Sequence, residues 1–250
     1  MPDATFRFYA ELNDFLPAEW RQKSFRHYFD FHASIKHIIE SLGVPHTEVD
    51  LILINGTSVD FHHRVNENDI VSVYPVFERL DIAAIAQLRE KPLREPRFVL
   101  DIHLGKLAVY LRMLGFDTLY QNDFHDEDLA VISSQQKRIL LTRDRGLLKR
   151  NLVTHGAYIR TTRPTQQAVE VLKKFDLTKA TMPFTRCLVC NERLVTVDKR
   201  TIKNRLHPET SRYFHEYVLC PVCDKVYWKG SHYERMQKTL NSIQEDATLG

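Results

Sequence analysis

The chain has 250 residues, of which 43% are hydrophobic, 10% aromatic and 27% charged. That content suffices for a buried core and excludes wholesale disorder, and no apolar run approaches the roughly 18 residues of a membrane span. Four cysteines in so long a chain exclude a disulfide scaffold as the source of stability. The opening Met1-Pro2-Asp3-Ala4-Thr5-Phe6-Arg7 has no basic start leading into an apolar stretch, so no secretory signal is expected. A cytoplasmic protein with no membrane partner is the starting expectation.

Charge divides unevenly. Residues 1–78 hold 6 Lys/Arg and 12 Asp/Glu, while residues 79–250 hold 29 and 20, so the parts carry −6 and +9. The basic part is the candidate for a polyanionic partner.

In chain order, Thr5-Phe6-Arg7-Phe8-Tyr9-Ala10 alternates apolar and polar residues and reads as a strand. Ile35, Ile38, Ile39 and Leu42 recur at helical steps, with Gly43 placed to end the helix. Leu51-Ile52-Leu53-Ile54 runs into Asn55-Gly56, a pair suited to a tight turn because both residues tolerate positive φ. Ile70-Val71-Ser72-Val73-Tyr74 closes the unit at Pro75. Strands around one helix predict a small α+β domain over residues 1–78.

Through residues 38–45, 51–56 and 69–75 this segment resembles the ubiquitin-like β-grasp proteins of the sulfur-carrier type. Sulfur carriers end in a free Gly-Gly. Here Val76-Phe77-Glu78 continues into more chain, so the resemblance implies binding or scaffolding, with a protein partner, rather than sulfur transfer. A charged linker over 79–96 follows, in which Ile82, Ile85 and Leu88 would line one helical face.

From Arg97 strands and helices alternate. Strands are expected at 98–100, 116–120, 138–142 and 158–161. Helices are expected at 104–114, from Asp123 or Asp126 to about 136, at 146–152 and at 166–175. That alternation predicts a parallel sheet covered on both faces. Ligands of such sheets sit beyond the C-terminal strand ends, where Asp101 and Asp144 fall, and Asp126 would share that edge. Three converging carboxylates repel unless a cation neutralises them, and their hard oxygens suit Mg²⁺ or Mn²⁺. Lys106, Arg112, Arg143, Arg145, Lys149 and Arg150 are candidates for phosphate contacts.

The run from Arg97 through Asp101 to Ala108, then Leu111-Arg112-Met113-Leu114-Gly115-Phe116-Asp117, resembles the opening of the Mut-seven C-terminal RNase domain, a PIN-like nuclease family. Asp126-Glu127-Asp128-Leu129 and Arg138–Arg145 are similar to its later motifs. The resemblance implies metal-dependent cleavage of RNA with Asp101, Asp126 and Asp144 as the acidic positions. Asp123 and Glu127 are candidates for a fourth.

Cys187-Leu188-Val189-Cys190 and Cys220-Pro221-Val222-Cys223 are two CxxC knuckles. Together they supply four thiolates for one structural zinc, as in a zinc ribbon over residues 181–250. Two redox-active pairs or a disulfide pair are the less favoured readings. Tyr227-Trp228 and the basic residues around them offer base stacking, with packing against the ribbon favoured over it. This end segment also matches the family's pattern, which implies that His232 and Arg235 reach the active edge.

The expected whole is therefore an α/β protein in three parts. These are an N-terminal α+β ubiquitin-like β-grasp (1–78), a central PIN-like parallel-sheet α/β domain (97–180) and a C-terminal zinc ribbon. The expected activity is that of a divalent-metal-dependent ribonuclease. The alternative is a non-catalytic RNA-binding or ribosome-associated adaptor.

Overall fold

The computed structural model describes residues 1–76, 88 and 96–249. The linker expected over 79–96, including the helical positions Ile82 and Ile85, lies outside the described residues except for Leu88 and Pro96. Two compact units form, each from separated stretches: 1–95 with 125–158, and 96–124 with 159–250.

The first unit begins with strand β1 (Asp3–Phe8), whose alternation sends Ala4, Phe6 and Phe8 inward and leaves Arg7 exposed. Strand β2 (Phe25–Tyr28) pairs antiparallel with it, and Arg26 forms an ion pair with Asp3 at 2.5 Å. Periodicity gave no sign of this short edge strand. Helix α1 (Ile35–Ser41) follows, capped by Ser34 Oγ, which accepts from His37 N, and it buries Ile35, Ile38 and Ile39. Gly43 ends it at φ +100°, a conformation that glycine reaches without strain.

Strands β3 (Val49–Ile54) and β4 (Thr57–Ser58) form the expected hairpin, with Asn55 and Gly56 at φ 50° and 83°. Strand β5 (Ile70–Pro75) runs parallel to β1 and antiparallel to β3. The sheet order is β2-β1-β5-β3-β4, and Phe6, Phe8, Ile38, Ile39, Ile52, Val71 and Val73 form its core against α1. This mixed sheet holding one helix is the β-grasp that the sequence predicted.

The central parallel sheet follows with its helices. Strand β6 (Phe98–Leu100) is buried throughout and leads into helix α2 (Gly105–Met113). Gly115 turns the chain at φ +96°, and strand β7 (Thr118–Leu119) then pairs in parallel with β6. Helix α3 (Asp126–Gln135) starts at His125, whose N–H is accepted by the Asp128 carboxylate at 3.0 Å, so neither Asp123 nor Asp126 is the cap.

Strand β8 (Ile139–Thr142), helix α4 (Arg145–Leu148) and strand β9 (Gly156–Tyr158) complete the first unit, with β8 and β9 parallel. Helix α4 is shorter than expected: beyond Leu148 the N–H groups of Lys149 and Arg150 bond three residues back, to Gly146 O and Leu147 O, in place of a continued helical ladder. Strand β9 ends at Tyr158 rather than continuing to 161. The N–H groups of Arg160 and Thr161 go to the Glu170 carboxylate, at 2.9 and 3.1 Å, instead of to a ladder.

In the second unit helix α5 (Pro164–Lys174) opens with a proline at its first position and packs on α2. Strand β10 (Val195–Val197), helices α6 (Lys199–Ile202) and α7 (Pro208–Tyr213), and strands β11 (Tyr217–Leu219) and β12 (Val226–Trp228) follow. The three strands form an antiparallel sheet in the order β10-β11-β12. Helix α8 (Ser231–Thr248) lays Leu240, Ile243 and Ala247 inward and packs on α5. Among the described residues no helix is long and apolar enough to cross a membrane.

A cysteine centre and carboxylates at strand ends

All four thiols are free, and their sulfurs lie within 4.8 Å of one another. The shortest approaches cross between the knuckles, Cys187 to Cys223 at 3.4 Å and Cys190 to Cys220 at 3.3 Å. Zn–S bonds of about 2.3 Å imply tetrahedral S···S edges of about 3.8 Å, so four converging sulfurs fit one zinc rather than two separate redox pairs.

The knuckles repeat one backbone design. Cys187 N donates to Glu192 O and Asn191 N to Cys187 O; Cys220 N donates to Lys225 O and Asp224 N to Cys220 O. Each knuckle turns at the residue after its second cysteine, Asn191 at φ 71° and Asp224 at φ 60°. Asn and Asp tolerate that left-handed region best among residues with a Cβ. The CxxC-Asn and CxxC-Asp pattern was visible in the sequence as a turn signal.

A polar shell ties the first knuckle to the α2–β7 corner. Arg112, only 4% exposed, donates from Nε to Thr118 O at 2.9 Å. Its Nη1 donates to Leu188 O at 3.1 Å and to Val189 O at 2.9 Å. Asn191 Oδ1 accepts from Thr118 N, and its Nδ2 donates to Asp117. Arg186 donates to Gly115 O and Asn191 O. The Tyr227 hydroxyl lies 3.2 Å from Cys187 Sγ and accepts from Leu188 N, so this ring packs on the ribbon.

Burial opposes ionisation of Cys187, but the bonds from Tyr227 and from the N–H groups of Cys190 and Val189 outweigh it and bring the thiol down to about 6. Burial pushes Cys190 up to about 12. Bound zinc would carry four thiolates and hence net negative charge, which the Arg112 guanidinium offsets in part.

Asp101 follows β6 directly and is 7% exposed. It caps the short turn at Ile102–Leu104, with Oδ1 accepting from His103 N at 3.3 Å. Asp144 lies just past β8 and caps α4, with Oδ1 accepting from Gly146 N at 2.7 Å, while its own N–H donates to Thr142 Oγ1. Carboxylate oxygens are hard donors of the kind that suit Mg²⁺ or Mn²⁺. Asp126 and Glu127 open α3, and Arg150 Nη2 reaches both, at 3.7 and 2.9 Å. That bond holds the Glu127 carboxyl below the usual range. Asp123 is exposed in the preceding turn. Among the described residues, the cysteines are the group of three or more metal-ligating side chains whose ligand atoms converge.

The basic residues separate by surroundings. Lys106, His232 and Arg235 are exposed, and Arg143 is half-buried. Arg112 is bonded in the knuckle shell. Arg145 lies over the rings of Phe15 and Tyr158, at 5.0 and 5.4 Å, and its Nη1 donates to Phe15 O. Lys149 Nζ donates to Glu40 O at 2.6 Å. Around them Lys36 Nζ donates to Asn151 Oδ1 at 2.8 Å, and His46 bridges Glu40 Oε1 and Val153 O at 2.7 and 2.9 Å. Glu48, fully buried, accepts from Tyr158 N at 2.6 Å. The ubiquitin-like domain thus grips residues 145–158. Hydropathy periodicity had no means of finding this seam, since its members are single polar residues on separate elements.

A ubiquitin-like sheet, a central parallel sheet with acidic strand ends and a cysteine ribbon define a mixed α/β protein. Residues 96–240 match the family model described as Mut7-C RNAse domain, and residues 1–81 match the one described as Mut7-C ubiquitin. The chain belongs to the Mut7-C RNAse domain family, with the ubiquitin-like domain ahead of the RNAse domain. No curated protein and no solved structure matches it.

Proposed function

We propose that this protein is a divalent-metal-dependent ribonuclease that hydrolyses phosphodiester bonds of RNA. The reading rests on one observation above the others. The segment that matches an RNAse family carries Asp101 and Asp144 just past the ends of parallel strands, where open sheets take their ligands. Asp101, Asp126 and Asp144 would hold Mg²⁺ or Mn²⁺, with Asp123 or Glu127 as a fourth acidic position. The bound metal supplies a Lewis acid for a phosphoryl oxygen and lowers the pKa of a water.

This chain's own residues do the rest. Asp101 and Asp144 are oriented by the N–H groups they cap. The cations Lys106, Arg143, His232 and Arg235 bind and align the strand through its phosphates. Zinc at the four cysteines is structural, because every ligand position is filled by protein. Unpaired thiols suit a reducing compartment, so the proposed setting is the cytoplasm.

The test is cleavage of end-labelled single-stranded and hairpin RNAs with Mn²⁺ by the wild type, Asp101→Asn and Asp144→Asn, prepared identically. Loss of cleavage in both folded variants supports a nuclease. Equal cleavage by all three, or none by any under varied metal, transfers the assignment to the RNA-binding adaptor.

A further inference from the structure

The ubiquitin-like domain meets residues 145–158 of the same unit. Three groups of contacts make up that seam. Arg145, next to Asp144, lies over the Phe15 and Tyr158 rings, which meet edge to face. Lys149 and Asn151, which flank Arg150, are bonded to Glu40 O and Lys36 Nζ. Val153 O is bonded to His46 Nε2, and Tyr158 N to the buried Glu48 carboxylate. Both neighbours of Arg150 thereby contact the ubiquitin-like domain.

Arg150 in turn is the residue that reaches Asp126 and Glu127. The chain of contact is continuous: ubiquitin-like domain, residues 149–153, Arg150, N-terminus of α3. A parallel route runs from Phe15 through Arg145 to α4, whose cap is Asp144. Two of the three acidic candidates are therefore linked through contacts to a domain that carries none of them.

We propose that the ubiquitin-like domain is a positioning module for the acidic edge, and that Arg150 is a positioning residue which sets Asp126 rather than a ligand for RNA phosphate. The proposal deepens the nuclease reading and rests on it for the meaning of Asp126 and Asp144. It also commits the acidic N-terminal domain to a partner, the basic 145–158 segment of its own chain. Arg150 Nη2 alone makes both contacts, 2.9 Å to Glu127 and a longer 3.7 Å to Asp126, so one charged nitrogen links the two carboxylates that open α3.

The test uses the full chain. Amide hydrogen exchange is followed over residues 126–128 and 144–153 in the wild type, Arg150→Met, His46→Ala and the milder Lys36→Met, with folding checked by circular dichroism. The expected result is faster exchange at 126–128 in Arg150→Met, by about two- to fivefold for an exposed pair of this kind. Faster exchange over 144–153 is expected in both seam variants.

In parallel, RNA binding is measured against salt, and cleavage is measured with Mn²⁺. Positioning predicts unchanged RNA affinity and salt slope with a lowered kcat in Arg150→Met. A phosphate contact predicts a raised KM and a salt slope lower by about one, and that outcome overturns the proposal. Unchanged exchange at 126–128 in folded Arg150→Met, or unchanged exchange over 144–153 in both seam variants, overturns it as well. If no preparation cleaves RNA, the nuclease reading fails, while the exchange data still decide whether the domain positions these carboxylates.

Discussion

Arg112 Nη1 donates at 2.9 Å to the carbonyl oxygen of Val189, so a helix of the RNAse domain holds the loop between the two cysteines of the first knuckle. The same guanidinium bonds Thr118 O and Leu188 O. Replacing it removes donors from three carbonyls in a buried corner. Arg112→Met is expected to destabilise the protein by about 2–4 kcal/mol, the cost of leaving such groups unpaired. Urea denaturation checks this, and a change below about 0.5 kcal/mol would show that water replaces the guanidinium.

Metal uptake at the cysteines should depend on pH. Cys190 is held near 12 by burial, so at neutral pH it keeps its proton until zinc displaces it. Zinc affinity is therefore expected to rise with pH between 6 and 8, with protons released on binding. Competition with a chromophoric chelator at each pH measures it, alongside one zinc per chain by elemental analysis and loss of that zinc in Cys190→Ser. A flat profile would mean that the ligands are already ionised.

Gly115 tests the corner from its other side. Its φ is +96°, and a Cβ there would lie 2.2 Å from Met182 O, a backbone atom that cannot swing away. Gly115→Ala is expected to cost about 2–5 kcal/mol, from the left-handed backbone and the overlap together. Thermal melting of the purified variant gives the answer, a wild-type midpoint being the contrary result.

Glu48 tests the seam without touching any acidic candidate. Its buried carboxylate accepts the Tyr158 N–H at 2.6 Å. Glu48→Ala leaves that donor buried without this acceptor and is expected to lose about 1–3 kcal/mol, whereas Glu48→Gln retains an oxygen and loses less. Equal stability losses in the two variants would assign the effect to packing instead.

Much of the fold was legible because local chemistry points the same way as the tertiary structure. Ile35, Ile38 and Ile39 lie on one helical face and are buried together. Asn55-Gly56 makes the expected turn, and the apolar runs at 98–100 and 139–142 are buried strands. Differences arise where a distant group supplies what the local pattern lacked. The Glu170 carboxylate takes the N–H groups of Arg160 and Thr161 and ends β9 early. Asp128 replaces the expected aspartates in starting α3, through a bond to the His125 N–H.

By itself the sequence determined the helix and the longer strands of the N-terminal sheet, the alternation of the central part, the two cysteine knuckles and the placement of Asp101 and Asp144 at strand ends. Each is encoded in periodicity or fixed spacing within a short window. Only the tertiary structure decided what the cations do. In sequence Arg112, Arg145, Lys149 and Arg150 are equivalent positive charges. In the fold one holds a cysteine knuckle, two meet the ubiquitin-like domain and one faces Asp126 and Glu127. A charge takes its role from the acceptor it meets, and here the acceptors lie up to 130 residues away along the chain.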